Sequence, residues 1–153
     1  MSHPSVLDTH ALQRLLQQVQ AQLGEPTVLS VDELKDLWSQ ASQALDEGRH
    51  EDALPLWEQL VQAQPGEPSF QFGFALALQQ LGQIELAAKH FSCAYALDPT
   101  DAACAYRIGE CLLALGWTVD AHDALLAAQQ LCDLPHNAPQ IRELSLALMQ
   151  QMQ

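Results

Sequence analysis

Residues 81–91 read LGQIELAAKHF, and the spacing inside this stretch decides the fold because it recurs 34 residues earlier and 34 residues later. In each copy a small residue follows the glycine by five positions, and a bulky apolar residue follows four positions after that. The three columns are Gly48, Gly82 and Gly116, then Ala53, Ala87 and Ala121, then Trp57, Phe91 and Leu125. Pro65 and Pro99 share the interval, with Asp133 at the third position. Independent columns at one period predict a tandem repeat.

Each column has a physical role in a unit of two helices. The glycine adopts the left-handed backbone conformation beyond the end of the first helix at no steric cost. The alanine marks the closest approach of the two helices, and the bulky residue one turn later packs against the first helix. This pattern resembles the tetratricopeptide repeat. The third unit matches best, with Gly109 and Gly116, but it lacks a closing proline until Pro135, and Ala41 replaces the inner glycine of the first unit.

The fold class that follows is all-α. Three tandem tetratricopeptide repeats are expected to form a short superhelical array, flanked by an N-terminal amphipathic helix and a C-terminal capping helix. Hydrophobic periodicity places the repeat helices at 33–47, 50–63, 68–81, 84–97, 101–115 and 118–131. We divide the chain into an N-terminal helix and linker (1–32), the repeats (33–135, as 34–67, 68–101 and 102–135) and the capping helix (136–153). The apolar stripe of the capping helix is Ile141, Leu144, Leu148 and Met152.

The N-terminal helix carries an apolar stripe that must be covered. Its members recur at helical spacing before Gly24 and Pro26 stop the helix, and they are Leu12, Leu15, Leu16, Val19 and Leu23. An isolated amphipathic helix of this length is only marginally stable in water. The helix therefore either folds back onto the repeats or packs against a second copy of the chain. We expect a homodimer that forms through or near this stripe.

The composition argues against several classes of function. The 153 residues include six Lys and Arg against 19 Asp and Glu, a net charge of −13, which disfavours binding to nucleic acid and to anionic lipid surfaces. No apolar stretch is long enough to cross a membrane, and the first residues lack a basic start followed by an apolar core. We therefore expect a cytoplasmic protein that does not insert into membranes.

The histidines and cysteines indicate no catalytic or metal site. The motifs C-x-x-C, H-E-x-x-H and G-x-S-x-G are absent, as is a glycine-rich phosphate loop, so we expect no enzymatic activity, no metal and no cofactor. His90 and His122 are expected to be solvated on helix surfaces. The four cysteines are expected to be small apolar core residues, and they are Cys93, Cys104, Cys111 and Cys132.

One face of the repeats is predicted to bind an extended peptide, because short arrays present a groove lined by the first helix of each unit. The second, fifth, ninth, twelfth and thirteenth positions of each unit face this groove. The candidate binding residues among them are Trp38, Ser42, Leu45, Phe72, Leu76, Gln79, Tyr106, Glu110 and Leu113. Lys35 is the only basic residue expected to face inward, which favours apolar anchors over a terminal carboxylate. A shift of one or two residues in this frame would place the aromatic residues in the core instead, as we expect for Trp57 and Phe91.

The sequence also resembles a specific family, the class II chaperones of bacterial type III secretion systems (SycD/LcrH type). The resemblance covers residues 33–152 and includes the length, the repeats, the excess of acidic residues and several short sequence motifs. These motifs are Leu37-Trp38-Ser39, Glu51-Asp52-Ala53, Leu81-Gly82-Gln83, Glu110-Cys111-Leu112-Leu113 and Ala127-Ala128-Gln129. Of these, the Glu-Cys-Leu-Leu stretch is the most typical of the family.

The resemblance implies a cytoplasmic, non-enzymatic bacterial chaperone. Such chaperones hold a hydrophobic secreted translocator protein soluble by binding a short extended segment of it in the groove, and they commonly dimerise through the N-terminal region. Trp38 and Leu45 stand where the family usually has groove tyrosines, and His50 stands where a further tyrosine is common. Two alternatives stay open: a general tetratricopeptide adaptor, and a chaperone of another export component such as a needle subunit.

Overall fold

The computed structural model describes residues 9–23 and 28–152, which form helices and turns without any strand. None of these helices has the length and apolar character that crossing a membrane requires. The prediction of an all-α fold is confirmed, and each repeat helix begins and ends within two residues of its predicted bounds. The helices are α1 Thr9–Leu23, α2 Val31–Asp46, α3 His50–Ala63, α4 Pro68–Gln80, α5 Ile84–Leu97, α6 Ala102–Ala114, α7 Thr118–Leu131 and α8 Gln140–Gln151.

The recurring glycines end the first helix of each pair, as predicted. Gly48, Gly82 and Gly116 have φ angles of 74°, 81° and 81°, in the left-handed region. After Gly48, the amide of Arg49 donates to the carbonyl of Ala44 at 2.8 Å, and the corresponding bond recurs in the other two pairs. This hydrogen bond satisfies a carbonyl that the end of the helix would leave unpaired. The same turn therefore sets the geometry of all three helix pairs.

The core lies between and within the helix pairs α2–α3, α4–α5 and α6–α7, each of which packs against the next pair. The alanine column and the bulky column are buried as predicted, which confirms Trp57 and Phe91 as core residues. A Cβ built at Gly109 would lie 2.5 Å from a methyl carbon of Leu125. Only glycine at this position lets α6 approach α7 so closely, so the inner glycine of the third unit has a packing role.

The expectation that His90 is a surface residue is wrong. Its side chain is only 1% exposed because position 90 of α5 faces α4, where the ring packs edge-on against Phe74. The Nδ1 atom of His90 lies 2.8 Å from Oε1 of Gln71, and the amide group of Gln71 donates to the carbonyl of Pro65. Burial lowers the pKa of His90 to about 4, so the ring is neutral at pH 7. His122, in contrast, is exposed as expected.

Three of the four cysteines are core residues, as predicted, and the fourth is not. Cys93, Cys104 and Cys111 are buried free thiols, and burial raises the pKa of each of them, to about 12 for Cys93 and Cys111. Cys132 is only half-buried because it lies at the end of α7, where the chain leaves the repeats. The prediction of a core position is therefore wrong for Cys132.

Helix α1 folds back and packs against α5 of its own chain. Val19 is 1% exposed and Leu15 is half-buried, while the side chains of Leu12, Leu16 and Leu23 lie outside the described part of the chain. For Val19, of the two ways to cover the stripe, the structure thus has the intramolecular one. Dimerisation near this helix stays a prediction.

Helix α8 packs against α7 and α6 and covers the end of the array. Its apolar stripe differs from the predicted one, because Leu144 is exposed and Ser145 takes the buried position one turn after Ile141. The preceding loop is fixed by Asn137. The amide group of Asn137 donates at 2.8 Å to the carbonyls of Thr100 and Leu131, and its Oδ1 atom accepts from the first amide of α6 at 3.1 Å.

Candidate functional site

The residues predicted to line the groove share one side of α2, α4 and α6, which we call the open face. None of them is buried, whereas the residues between them on the same helices form much of the core. The helical period therefore leaves these residues outside the core, as the predicted repeat positions require. Their binding role stays a prediction. The open face consists of Lys35, Trp38, Ser42, Leu45, Asp46, Ser69, Phe72, Leu76, Gln79, Gln80, Ala103, Tyr106, Glu110, Leu113 and Ala114.

A pocket of about 310 Å³ lies between α2 and the first turn of α4, and we call it the α2–α4 pocket. Trp38 forms one side of it and is 47% exposed, which is unusual for a residue of this size. The lining is predominantly apolar, with Lys35 as its one charged side chain. The lining residues are Val31, Leu34, Lys35, Trp38, Gln64, Ser69 and Phe70.

The apolar residues in the middle of the open face are anchored to the core beneath them. Leu45, Phe72, Leu76 and Leu113 are half-buried, and each packs against the core with part of its side chain. The ring of Phe72 meets the ring of Phe91 edge-on, with centroids 5.4 Å apart. These side chains therefore present apolar surface in fixed positions, which reduces the entropy lost when a ligand binds them.

A polar cluster joins α4 to α6 on the same face. One guanidinium nitrogen of Arg107 lies 3.2 Å from Oε1 of Glu110 and 3.3 Å from Oε1 of Gln79. The Tyr106 hydroxyl donates to Oε2 of Glu110 at 3.3 Å, and the amide group of Gln79 donates to Oε1 at 3.3 Å. Burial raises the pKa of Tyr106, and the neighbouring Glu110 carboxylate raises it further. The open face thus has an apolar half over α2 and α4 and a polar part between α4 and α6.

This cluster corrects the expectation that Lys35 is the only basic residue on the groove side. Arg107 occupies the position after a groove residue, and its long side chain reaches back across to Gln79 of α4. Glu110 neutralises its charge, so the cluster offers no free cation for a terminal carboxylate. The position of Arg107 in the sequence could not show that its side chain extends to Gln79 of another helix.

The pocket residues Val31, Leu34 and Phe70 were also missed. Val31 lies outside the predicted helix because α2 begins two residues earlier than expected. A signal for this start exists in the sequence, since Ser30 and Glu33 form a capping box. Leu34 and Phe70 are not groove positions of their own repeats, and they reach the pocket only because α2 and α4 lie side by side.

The described residues contain no group of histidine, cysteine or acidic side chains placed to hold a metal ion. The side chains of the open face offer apolar contact, hydrogen bonding and charge. This chemistry suits the binding of a polypeptide segment.

Comparison with known proteins gives the chain a family. The family model described as anaphase-promoting complex, cyclosome, subunit 3, which is tetratricopeptide-like, matches residues 46–128, more than half of the chain. The low calcium response locus protein H of Yersinia pseudotuberculosis serotype I is 29% identical over 117 residues. That alignment covers 76% of this chain and 68% of the relative.

Solved structures show the same fold. The Yersinia enterocolitica translocator chaperone SycD, in a form described as an alternative dimer, matches with a TM-score of 0.72 and 25% identity, covering 80% of this chain and 93% of SycD. SycD in complex with a peptide of the translocator YopD matches with a TM-score of 0.71 and 27% identity, covering 80% and 94%. The chain therefore belongs to the tetratricopeptide-like family of the matched model, and its predicted resemblance to the class II chaperones of type III secretion systems, the SycD/LcrH type, is confirmed.

Proposed function

We propose that this protein is a cytoplasmic chaperone of a bacterial type III secretion system. It binds an extended segment of a hydrophobic translocator protein on its open face and keeps that protein soluble and ready for secretion. The observation that carries the proposal is the apolar half of the open face, where Trp38 stands exposed beside the α2–α4 pocket. The complex of SycD with a translocator peptide supports it, because the two chains share their fold and are 27% identical in sequence over the matched part.

The α2–α4 pocket has room for an apolar side chain. Its volume of about 310 Å³ exceeds the roughly 150 Å³ cavity that admits a benzene molecule in another protein. Full burial of one such side chain contributes about 1.5–3 kcal/mol. Three anchors, one in the pocket and two over Phe72 and Leu76, would contribute about 5–9 kcal/mol before the cost of ordering the segment.

This estimate means that interactions other than the apolar anchors must contribute to binding. A dissociation constant of 1 μM corresponds to about 8 kcal/mol, so apolar anchors alone give at best weak binding once ordering is counted. Hydrogen bonds to the backbone of the segment must add to them, and the polar cluster at Gln79 and Glu110 has the donors and acceptors for this. The net charge of −13 then keeps the complex soluble while apolar segments of the client are held.

The N-terminal stripe is part of the same proposal. Leu12, Leu15, Leu16, Val19 and Leu23 would support a homodimer near α1, and the form of SycD described as a dimer is consistent with this. Because Val19 is already buried within its own chain, a second copy would have to contact the part of α1 that faces away from α5, or exchange α1 between chains.

The first experiment identifies the client. The tagged chain is purified from its own cells, and its partners are identified by mass spectrometry together with the mass of the complex. An abundant partner with long apolar segments, which leaves the soluble fraction when the gene is deleted, is the expected result. Polar partners alone would contradict the proposal and favour a general tetratricopeptide adaptor.

The second experiment tests the open face. The double variant Trp38→Glu with Phe72→Glu is coexpressed with the client, and the soluble fraction of the client is measured. The matched control is Val119→Glu, because Val119 is 76% exposed on α7 and lies off the open face. Circular dichroism checks that each variant is folded, and Trp38→Glu alone serves if the double variant unfolds. Undiminished client solubility with folded open-face variants would contradict the binding role of this face.

A further inference from the structure

Lys35 and Lys89 are the two basic residues of the repeats that form no ion pair within the described part of the chain, and only Lys35 lies on the open face. Arg49, Arg107 and Arg142 each form an ion pair with a carboxylate, so their charges are satisfied within the chain. Lys35 forms no ion pair with any residue in the described part of the chain, although α2 carries Asp32 one turn earlier and Asp36 directly after it.

Lys35 is placed where a ligand bound in the α2–α4 pocket would meet its charge. The lysine is exposed, yet it lines the α2–α4 pocket, where every other lining residue is apolar or uncharged. Glu67, the residue before α4, is occupied in capping that helix, where its Oε1 atom accepts from the hydroxyl and the amide of Ser69. A ligand side chain that fills the pocket therefore brings its neighbours next to an ammonium group without a partner.

We propose that Lys35 makes the open face selective for segments in which an aspartate or glutamate lies within two residues of the apolar side chain that fills the α2–α4 pocket. This inference rests on the proposed function and names the chemistry of the client segment. The carboxylate belongs to a side chain and not to a chain terminus, since a single ammonium offers a point charge where terminal carboxylates need paired donors. The overall charge of −13 opposes acidic ligands, so a preference for acid must come from a local group.

The test is a selection from a displayed library of random 12-residue peptides held between fixed flanks, so that no peptide has a free carboxyl terminus. The full chain, Lys35→Gln, Lys89→Gln and Trp38→Glu are used in parallel. Lys89→Gln is a control with the same charge change on α5, off the open face, and Trp38→Glu checks that the selected peptides bind at the α2–α4 pocket. The wild type and Lys89→Gln should enrich apolar residues with an acidic residue within two positions. Lys35→Gln should keep the apolar enrichment and lose the acidic one.

Affinity measurements with one selected peptide then test the interaction between Lys35 and the acidic residue of that peptide. Replacing its acidic residue by the amide should weaken binding to the wild type by roughly two- to five-fold, in the range of exposed ion pairs, and should leave binding to Lys35→Gln unchanged. Apolar enrichment without acidic residues, or an acidic preference that persists in Lys35→Gln, would overturn the role of Lys35 while the proposed function stands. No apolar enrichment, or enrichment that Trp38→Glu leaves unaltered, would overturn both.

Discussion

The substitution Gly73→Ala tests how closely α3 and α4 approach each other beneath the open face. A Cβ at position 73 would overlap the ring of Trp57, lying 2.5 Å from its Cε3 and Cη2 atoms. Carbon atoms prefer a separation of about 3.5–4.0 Å, so the ring or a helix must move by about 1 Å. Trp57 is buried and cannot turn into solvent. Such overpacking costs about 1–3 kcal/mol.

The expected net effect combines this cost with the better helix propensity of alanine. In a helix interior alanine is favoured over glycine by about 1 kcal/mol. Because the overlap is deep, we expect the upper end of the overpacking range, and so a net loss of about 2 kcal/mol in the free energy of unfolding. The matched control is Gly66→Ala, where an added Cβ meets nothing within 4 Å. There the free energy of unfolding should change by less than about 1 kcal/mol.

Urea unfolding followed by circular dichroism at neutral pH measures these differences. The double variant Gly73→Ala with Trp57→Leu removes the overlapping ring, and its loss should be smaller than the sum of the two single losses by about 1–3 kcal/mol. Wild-type stability in Gly73→Ala, together with additive effects in the double variant, would refute the close packing of Trp57 against α4.

Two further predictions concern residues away from the open face, the buried His90 and the half-buried Asn137. Because the unfolded state binds a proton near pH 6.5 and buried His90 only near pH 4, the free energy of unfolding should fall by about 3 kcal/mol as the pH drops between these values. Urea titrations should show a shallower slope for His90→Gln and the wild-type slope for the exposed control His122→Gln; equal slopes in all three would contradict the burial. Asn137→Ala should lower the free energy of unfolding by about 1–2 kcal/mol, because it removes the hydrogen bonds of Asn137 to the carbonyls of Thr100 and Leu131 and from the amide of Ala102. A change below about 0.5 kcal/mol in urea unfolding would show that solvent replaces these bonds.

The sequence by itself determined the helix pairs and the side of each that stays open. Their signals are local: the glycines act on the turn in which they stand, and the helical period decides which positions of α2, α4 and α6 share a face. For this reason the open face could be read position by position, and Trp57 and Phe91 could be assigned to the core. The start of α2 was missed although its capping box is also a local signal.

Only the tertiary structure decided which neighbours those positions meet. His90 is buried because Gln71 and Phe74, on another helix, form its surroundings, and the period of α5 alone does not distinguish that side from a solvated one. The α2–α4 pocket and the reach of Arg107 to Gln79 likewise need two helices placed side by side. The packing of α1 against α5 was one of two solutions that the sequence permitted. Apolar stripes specify that burial must occur, but they do not specify the partner, because hydrophobic attraction has no direction and its partner is set by the shape of the assembled chain.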